Sequence, residues 1–80
     1  METLKKLIAR VLDVDISEIN NESSPDNINS WDSFNGLMLV SELESNFSVK
    51  FTMDEVMSVN KVNDIKECLK KHGIKEGLED

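Results

Sequence analysis

The stretch SWDSFNGLMLVSELE, from Ser30 to Glu44, decides the interpretation of this chain of 80 residues. Apolar residues recur through it at spacings of three and four, which predicts a helix with one apolar stripe facing the core. That stripe consists of Phe34, Leu37, Val40, Leu43 and Phe47. Asp32 or Ser33 is the predicted N-cap, because a short polar side chain can accept a hydrogen bond from the first turn. We expect the Trp-Asp-Ser segment to be exposed.

The residues before this stretch predict a first helix and a long loop. Residues 2–13 carry apolar side chains at helical spacing, namely Leu4, Leu7, Ile8, Val11 and Leu12. From residue 13 to 31 the spacing is lost, and the segment is rich in Asn, Ser and Asp and holds the single proline. We expect Ile16, Ile19 and Ile28 to pin this loop to the core. A loop of this length in a small domain is usually functional or disordered.

The residues after it predict an extended connector over 49–51, a short helix over 53–59 and a last helix over 61–72. Val62, Ile65 and Leu69 lie on the inward face of the last helix, and Gly73 ends it. The sequence therefore predicts an all-α four-helix bundle with a long first loop and a short third helix. We expect a domain over residues 1–74 and a flexible tail over 75–80.

The chain has few residues that could perform catalysis. Cys68 is the single cysteine and His72 the single histidine, so an internal disulfide and a Cys-rich metal site are both excluded. A nucleophilic serine needs a base, and His72 belongs to the end of the last helix, with no sequence link to Ser33. Cys68, between Ile65 and Leu69, is expected to be a small buried residue. The sequence predicts no metal site and no enzyme.

The charge is concentrated in the middle of the chain. Residues 13–64 hold eleven acidic and two basic residues, a net charge of −9 within an overall −7. Such a surface repels nucleic acid and anionic membrane and favours basic protein surfaces. The charged N-terminus argues against a signal peptide, and no apolar run approaches the roughly 20 residues of a membrane span. We expect a cytoplasmic monomer without a membrane span.

Ser33 is therefore the candidate functional residue. A serine at the start of a helix has unpaired backbone N–H groups nearby, and the helix dipole favours a phosphodiester there. Residues 2–74 resemble an acyl carrier protein, and the core of the resemblance is Asp32-Ser33-Phe34. The resemblance continues through Leu39-Val40, Leu43-Glu44, Phe47, the connector over 49–51, the Asp54-Glu55 turn and the start of the last helix.

The resemblance implies a covalently modified carrier. Ser33 would carry 4′-phosphopantetheine, transferred from coenzyme A by a magnesium-dependent phosphopantetheinyl transferase, and the arm's thiol would hold acyl groups as thioesters. Asp32 would cap the helix and help during transfer. The implied partners are acyl-activating or acyl-transferring enzymes with basic docking patches. The residues expected to contact them are Phe34, Met38, Glu42, Glu44 and Glu55.

Several residues depart from the family pattern. Ser30-Trp31 stands where the family often has Leu-Gly, and Phe34 replaces a leucine. Neutral residues occupy positions that are commonly acidic, namely Asn35, Met38, Ser45, Met53 and Met57. The partner-facing side is therefore more apolar than expected for a housekeeping fatty-acid carrier, and Trp31-Asp32-Ser33 resembles discrete carriers of specialised pathways. An aminoacyl, D-alanyl or peptidyl carrier is an alternative, and so is a small acidic helical adaptor that binds proteins without a prosthetic group.

Overall fold

The computed structural model describes residues 2–78, which form four α-helices and no strand. The helices are α1 (Leu4–Leu12), α2 (Ser33–Phe47), α3 (Met53–Ser58) and α4 (Val62–Lys71), and a 3₁₀ turn, Ile16–Glu18, lies in the first loop. The predicted all-α fold, with its long first loop and short third helix, is confirmed. Among these residues, no helix has both the length and the apolar character needed to cross a membrane.

The core is built by three of the four helices. α1 buries one face completely, through Leu4, Leu7, Ile8 and Leu12. α4 contributes the predicted inward residues Val62, Ile65 and Leu69, each at most 2% exposed. α4 ends as expected, since Gly73 follows with a φ of 86°, a conformation that costs glycine little. α3 has no fully buried side chain, so it lies at the edge of this core.

α2 faces the core with a different stripe from the predicted one. Its buried residues are Leu39, Leu43 and Phe47, whereas Phe34 and Leu37 are 71% and 67% exposed. The prediction was wrong for those two residues because residues 37 to 40 are all apolar, so two different stripes fit the sequence. Packing against α1 selected the stripe with a spacing of four, and that choice turns Phe34 and Leu37 outward.

Two further expectations about the loop were wrong. Trp31 is only 7% exposed, and its indole Nε1 lies 3.8 Å from where a Cβ would be at Gly36. The glycine thus lets the indole pack closely against the first turn of α2. Ile16 is 39% exposed because it belongs to the 3₁₀ turn, which Asp15 caps by accepting a hydrogen bond from Ser17 N–H. Ile19 and Ile28 are buried as predicted.

The loop is also tied to the start of α4 by backbone hydrogen bonds. Val62 N–H donates to the Ser23 carbonyl at 2.9 Å, and Asn63 N–H donates to the Asn21 carbonyl at 3.0 Å. These bonds satisfy donors that the first turn of a helix leaves unpaired. The buried Ser23 hydroxyl donates to the Glu18 carbonyl. The loop that leads to α2 is therefore an ordered part of the fold.

The end of the chain also contacts α1. Leu4 N–H donates to the Gly77 carbonyl at 2.6 Å, and Leu78 is 4% exposed within the core. The expected tail over 75–80 thus begins with contacts to the first helix, while residues 79 and 80 lie outside the described residues. The boundary at residue 74 and the flexibility of the tail stay predictions.

Candidate functional site

Ser33 is the first residue of α2, and its side chain is exposed. The N-cap is its neighbour Asp32, whose carboxylate accepts a 2.9 Å hydrogen bond from Asn35 N–H. Within residues 2–78, the Ser33 hydroxyl makes no hydrogen bond in the structure. Of the two predicted N-cap candidates, Asp32 is therefore the cap that stabilises the helix. The Ser33 hydroxyl stays accessible to a reagent from solvent.

The segment in front of Ser33 is held rigidly. The Ser30 carbonyl accepts hydrogen bonds from Asp32 N–H at 3.0 Å and from the Asn35 side-chain amide at 2.8 Å. Trp31 N–H donates to the Ile28 carbonyl at 3.0 Å. Because Trp31 is also buried, these contacts fix the path of the backbone into α2. Along this path the Ser33 side chain is exposed to solvent.

A groove of about 210 Å³ opens beside Ser33 between α2, α3 and α4. Its walls are mainly apolar and include Leu39, Val40, Val56 and Ile65. The volume is below the roughly 300–1,000 Å³ of a pocket for a drug-sized ligand. The groove therefore has room for a short apolar group whose point of attachment lies at its edge.

An exposed apolar face follows Ser33 along α2. Phe34, Leu37 and Met38 are 71%, 67% and 44% exposed, and their spacing of three and four places them on one side of the helix. Met53 and Met57 form a second exposed pair on α3. Large exposed apolar side chains in a cluster mark contact surfaces. Phe34 and Met38 were predicted contact residues, whereas Leu37 was predicted only for the core-facing stripe, in which Phe34 was also placed.

The three predicted acidic contact residues each have a partner within the chain. Glu42 forms an ion pair with Arg10, whose Nη2 lies 2.9 Å from its Oε1, and Arg10 also binds Glu2 at 2.6 Å. Glu44 accepts a 2.8 Å hydrogen bond from Phe51 N–H and so holds the connector to α3. Glu55 contacts Thr52, Cys68 and His72. Each carboxylate is thus engaged within the chain.

The groups around Glu55 are not arranged for nucleophilic catalysis. The N–H of Thr52 holds the pKa of the Glu55 carboxyl below its usual range. Burial raises the pKa of the Cys68 thiol to about 11, so the thiolate is scarce at neutral pH. His72 Nε2 lies 2.9 Å from Glu55 Oε2. Its position beyond the last turn of α4 is the helix-end position that the sequence predicted.

Comparison with known proteins agrees with this geometry. A family model described as "Phosphopantetheine attachment site" matches residues 2–69. Among solved structures, the chain is similar to the holo acyl carrier protein from Geobacter metallireducens, determined in solution by NMR. The two are 25% identical with a TM-score of 0.72, over 99% of this chain and 100% of that one. A comparison with curated proteins finds no match.

Proposed function

This chain belongs to the acyl carrier protein family, whose members carry covalently attached 4′-phosphopantetheine, and we propose that Ser33 is its attachment point. The observation that carries the proposal is the exposed Ser33 hydroxyl at the first position of α2, which takes no part in capping the helix. Asp32 performs the capping, so modification of the serine costs the helix no hydrogen bond. The protein is a carrier.

The surroundings of Ser33 fit a phosphodiester. The first N–H groups of an α-helix have no partner within the helix, and its N-terminus carries the positive end of the dipole. Both stabilise a negative phosphate attached at this residue. Ser23, by comparison, is 2% exposed, and its hydroxyl bonds to the backbone. Ser33 therefore combines access and favourable electrostatics.

The arm supplies a terminal thiol that holds an acyl group as a thioester. The chain's own contribution is to position that arm and to limit contact with water. The apolar groove beside Ser33 suits a short acyl chain, because burying each CH₂ group there stabilises it by about 0.8 kcal/mol. We infer a cytoplasmic, monomeric carrier of short acyl intermediates that passes them between enzymes and performs no catalysis itself.

The docking surface we propose combines apolar and acidic residues. Phe34, Leu37 and Met38 supply apolar contact beside the attachment point, and methionine adapts to varied surfaces. Glu42, Glu44 and Glu55 supply negative charge, but their internal partners reduce the field that they present to a basic enzyme patch. Charge complementarity governs the encounter rate more than the affinity, so steering is weaker than for a fully acidic face. These features support a carrier of a specialised pathway.

The test of the attachment point is enzymatic modification followed by mass analysis. We expect a phosphopantetheinyl transferase with coenzyme A and Mg²⁺ to add one 4′-phosphopantetheine group, and peptide analysis to place it at Ser33. Ser33→Ala should abolish the mass gain, whereas the matched variant Ser30→Ala should retain it. No gain in the wild-type chain would favour the adaptor that lacks a prosthetic group. A gain that persists in Ser33→Ala would disprove the assignment.

The class of cargo needs a second measurement. Incubating the holo-protein with extracts or candidate activating enzymes and measuring the mass of the thioester distinguishes acyl from aminoacyl, D-alanyl or peptidyl loading. Our proposal expects a short acyl group without an amino group. An amine-containing thioester as the main loaded form would contradict it while leaving the attachment at Ser33 intact.

A further inference from the structure

Glu55, Cys68 and His72 bring three different metal-binding groups to one place. One carboxylate oxygen, the thiol sulfur and one imidazole nitrogen all lie within 4.8 Å of one another. Glu55 comes from α3, and Cys68 comes from α4 four residues before His72, so the two share one side of the helix end. We propose that these three residues form a binding site for a divalent transition-metal ion, with zinc as the best match.

The distances suit a single ion. Ligand atoms about 2.0–2.3 Å from a tetrahedral zinc ion lie roughly 3.3–3.8 Å from one another. In the structure, Glu55 Oε2 lies 3.4 Å from Cys68 Sγ and 2.9 Å from His72 Nε2. Small side-chain rotations therefore bring the three atoms to coordination distance. Zinc makes a coordinating thiol lose its proton, which passes to water as the hydrogen bond to Glu55 is replaced.

The surroundings orient two of the three groups. Thr52 N–H donates to Glu55 Oε1 at 2.8 Å, which holds the carboxylate in place; Oε2 contacts the thiol, and His72 Nε2 lies 2.9 Å from Oε2 and 3.1 Å from Oε1. The Phe51 ring meets the His72 ring edge-to-face, with centroids 5.6 Å apart. Hydrogen-bond partners such as Thr52 N–H hold metal ligands in position and contribute to metal affinity.

The chemistry of the donors selects the metal. A thiolate and an imidazole favour zinc and similar transition metals over magnesium and calcium, which prefer oxygen ligands. Three protein ligands leave the fourth tetrahedral position open. Cys68 and Glu55 also line the groove beside Ser33, so the ion would join α3 to α4 at the wall of that groove. The sequence predicted no metal site because it holds one cysteine and one histidine, and only the packing of α3 against α4 brings Glu55 to both of them.

The chain simplifies the test, since it contains one cysteine and one histidine. The untagged, reduced, full-length protein is titrated with Zn²⁺ by calorimetry and with Co²⁺ by absorption spectroscopy. The Ser33→Ala variant is used in parallel, because it cannot carry an arm whose thiol would itself bind zinc. We expect one ion per chain in both proteins, a thiolate-to-cobalt charge-transfer band, and no displacement by millimolar Mg²⁺.

Single substitutions identify the ligands. Cys68→Ser, His72→Gln and Glu55→Gln should each weaken Zn²⁺ binding by at least about tenfold, the lower limit for losing even an outer partner of a metal site. Cys68→Ser should also abolish the charge-transfer band. Glu67→Gln, which removes a neighbouring exposed carboxylate of α4, should bind as the wild type does. Absence of one-to-one binding, or an unchanged affinity in any of the three ligand variants, would overturn the proposed site.

Discussion

At the scale of single residues, the helix cap and the proposed attachment point are two adjacent residues, Asp32 and Ser33. Asp32 accepts the hydrogen bond from Asn35 N–H, and the next residue carries the exposed hydroxyl. If one serine had to cap the helix and also carry a phosphodiester, modification would remove the cap. If Ser33 is the attachment point, as proposed, placing the two tasks on adjacent residues keeps the helix cap in both the modified and the unmodified form.

This division predicts unequal effects on stability. Asp32→Ala should lower the free energy of unfolding by about 0.5–2 kcal/mol, the usual cost of losing an N-cap. Ser33→Ala should change it by less than about 0.5 kcal/mol, as for an exposed position without special contacts. Asp32→Asn is the matched control, since it keeps a capping oxygen and removes the charge. Urea unfolding measures all three, and equal losses for Asp32→Ala and Ser33→Ala would contradict the assignment of the cap.

At the scale of the elements, α2 has apolar residues on two faces with different environments. Leu39, Leu43 and Phe47 pack into the core, while Phe34 and Leu37 point to solvent. An apolar side chain left exposed on a domain this small reduces solubility without adding to the core. Phe34 and Leu37 lie within about one helical turn of Ser33. Their exposure is explained if a partner enzyme covers this face of α2 when the enzyme reaches the proposed arm.

Met38 provides the test of that face. Met38→Glu in the holo-protein should reduce acyl transfer by the cognate enzyme by roughly fivefold or more, as expected for losing about 1 kcal/mol of contact. The same change should improve transfer by a housekeeping fatty-acid synthase enzyme, with a gain that shrinks at higher salt because charge steering is screened.

The control for Met38→Glu is Lys6→Gln, which makes the net charge more negative by the same single unit but on the exposed side of α1. It should leave transfer by both enzymes unchanged. If the housekeeping enzyme uses the wild type and Met38→Glu equally well, the neutral residues of this face carry no partner specificity.

At the scale of the whole molecule, short elements are stabilised by contacts between distant parts of the chain. The first loop bonds to the start of α4 through Ser23 and Val62. The start of α1 contacts the segment after α4, where Leu4 N–H donates to the Gly77 carbonyl. A domain of this size buries a smaller fraction of its chain surface than a larger domain does, so each such contact is a sizeable share of the total stability.

Leu78 shows how much the last residues contribute. Leu78→Ala should lower the free energy of unfolding by about 2 kcal/mol, the lower end for a buried leucine, since a site near the chain end can relax. For a domain of this size, each kcal/mol corresponds to roughly 4–8 °C in Tm. Lys75→Ala, at an exposed position, is the control. Equal melting temperatures for the two variants would support the predicted flexible tail from residue 75.

The sequence alone determined the features that depend on local pattern. Apolar spacing predicted the four helices, Gly73 marked the end of α4, and the Asp32-Ser33 pair at the start of α2 pointed to the attachment point. The helices and the end of α4 are confirmed because helix periodicity and breakers act over a few neighbouring residues, while the attachment point at Ser33 stays a prediction. Burial of Cys68 and of the inward residues of α4 followed from the same local spacing.

The tertiary structure decided everything that depends on which surfaces meet. Residues 37 to 40 are apolar on both sides of α2, so only packing against α1 turned Leu37 outward and Leu39 inward. Trp31 is buried because Gly36, which lacks a side chain, leaves space for its indole. Apolar spacing along the sequence does not encode such a fit. Glu55 reaches Cys68 and His72 only because α3 lies against α4. Proximity between distant residues is a property of the packed core, and periodicity carries no information about it.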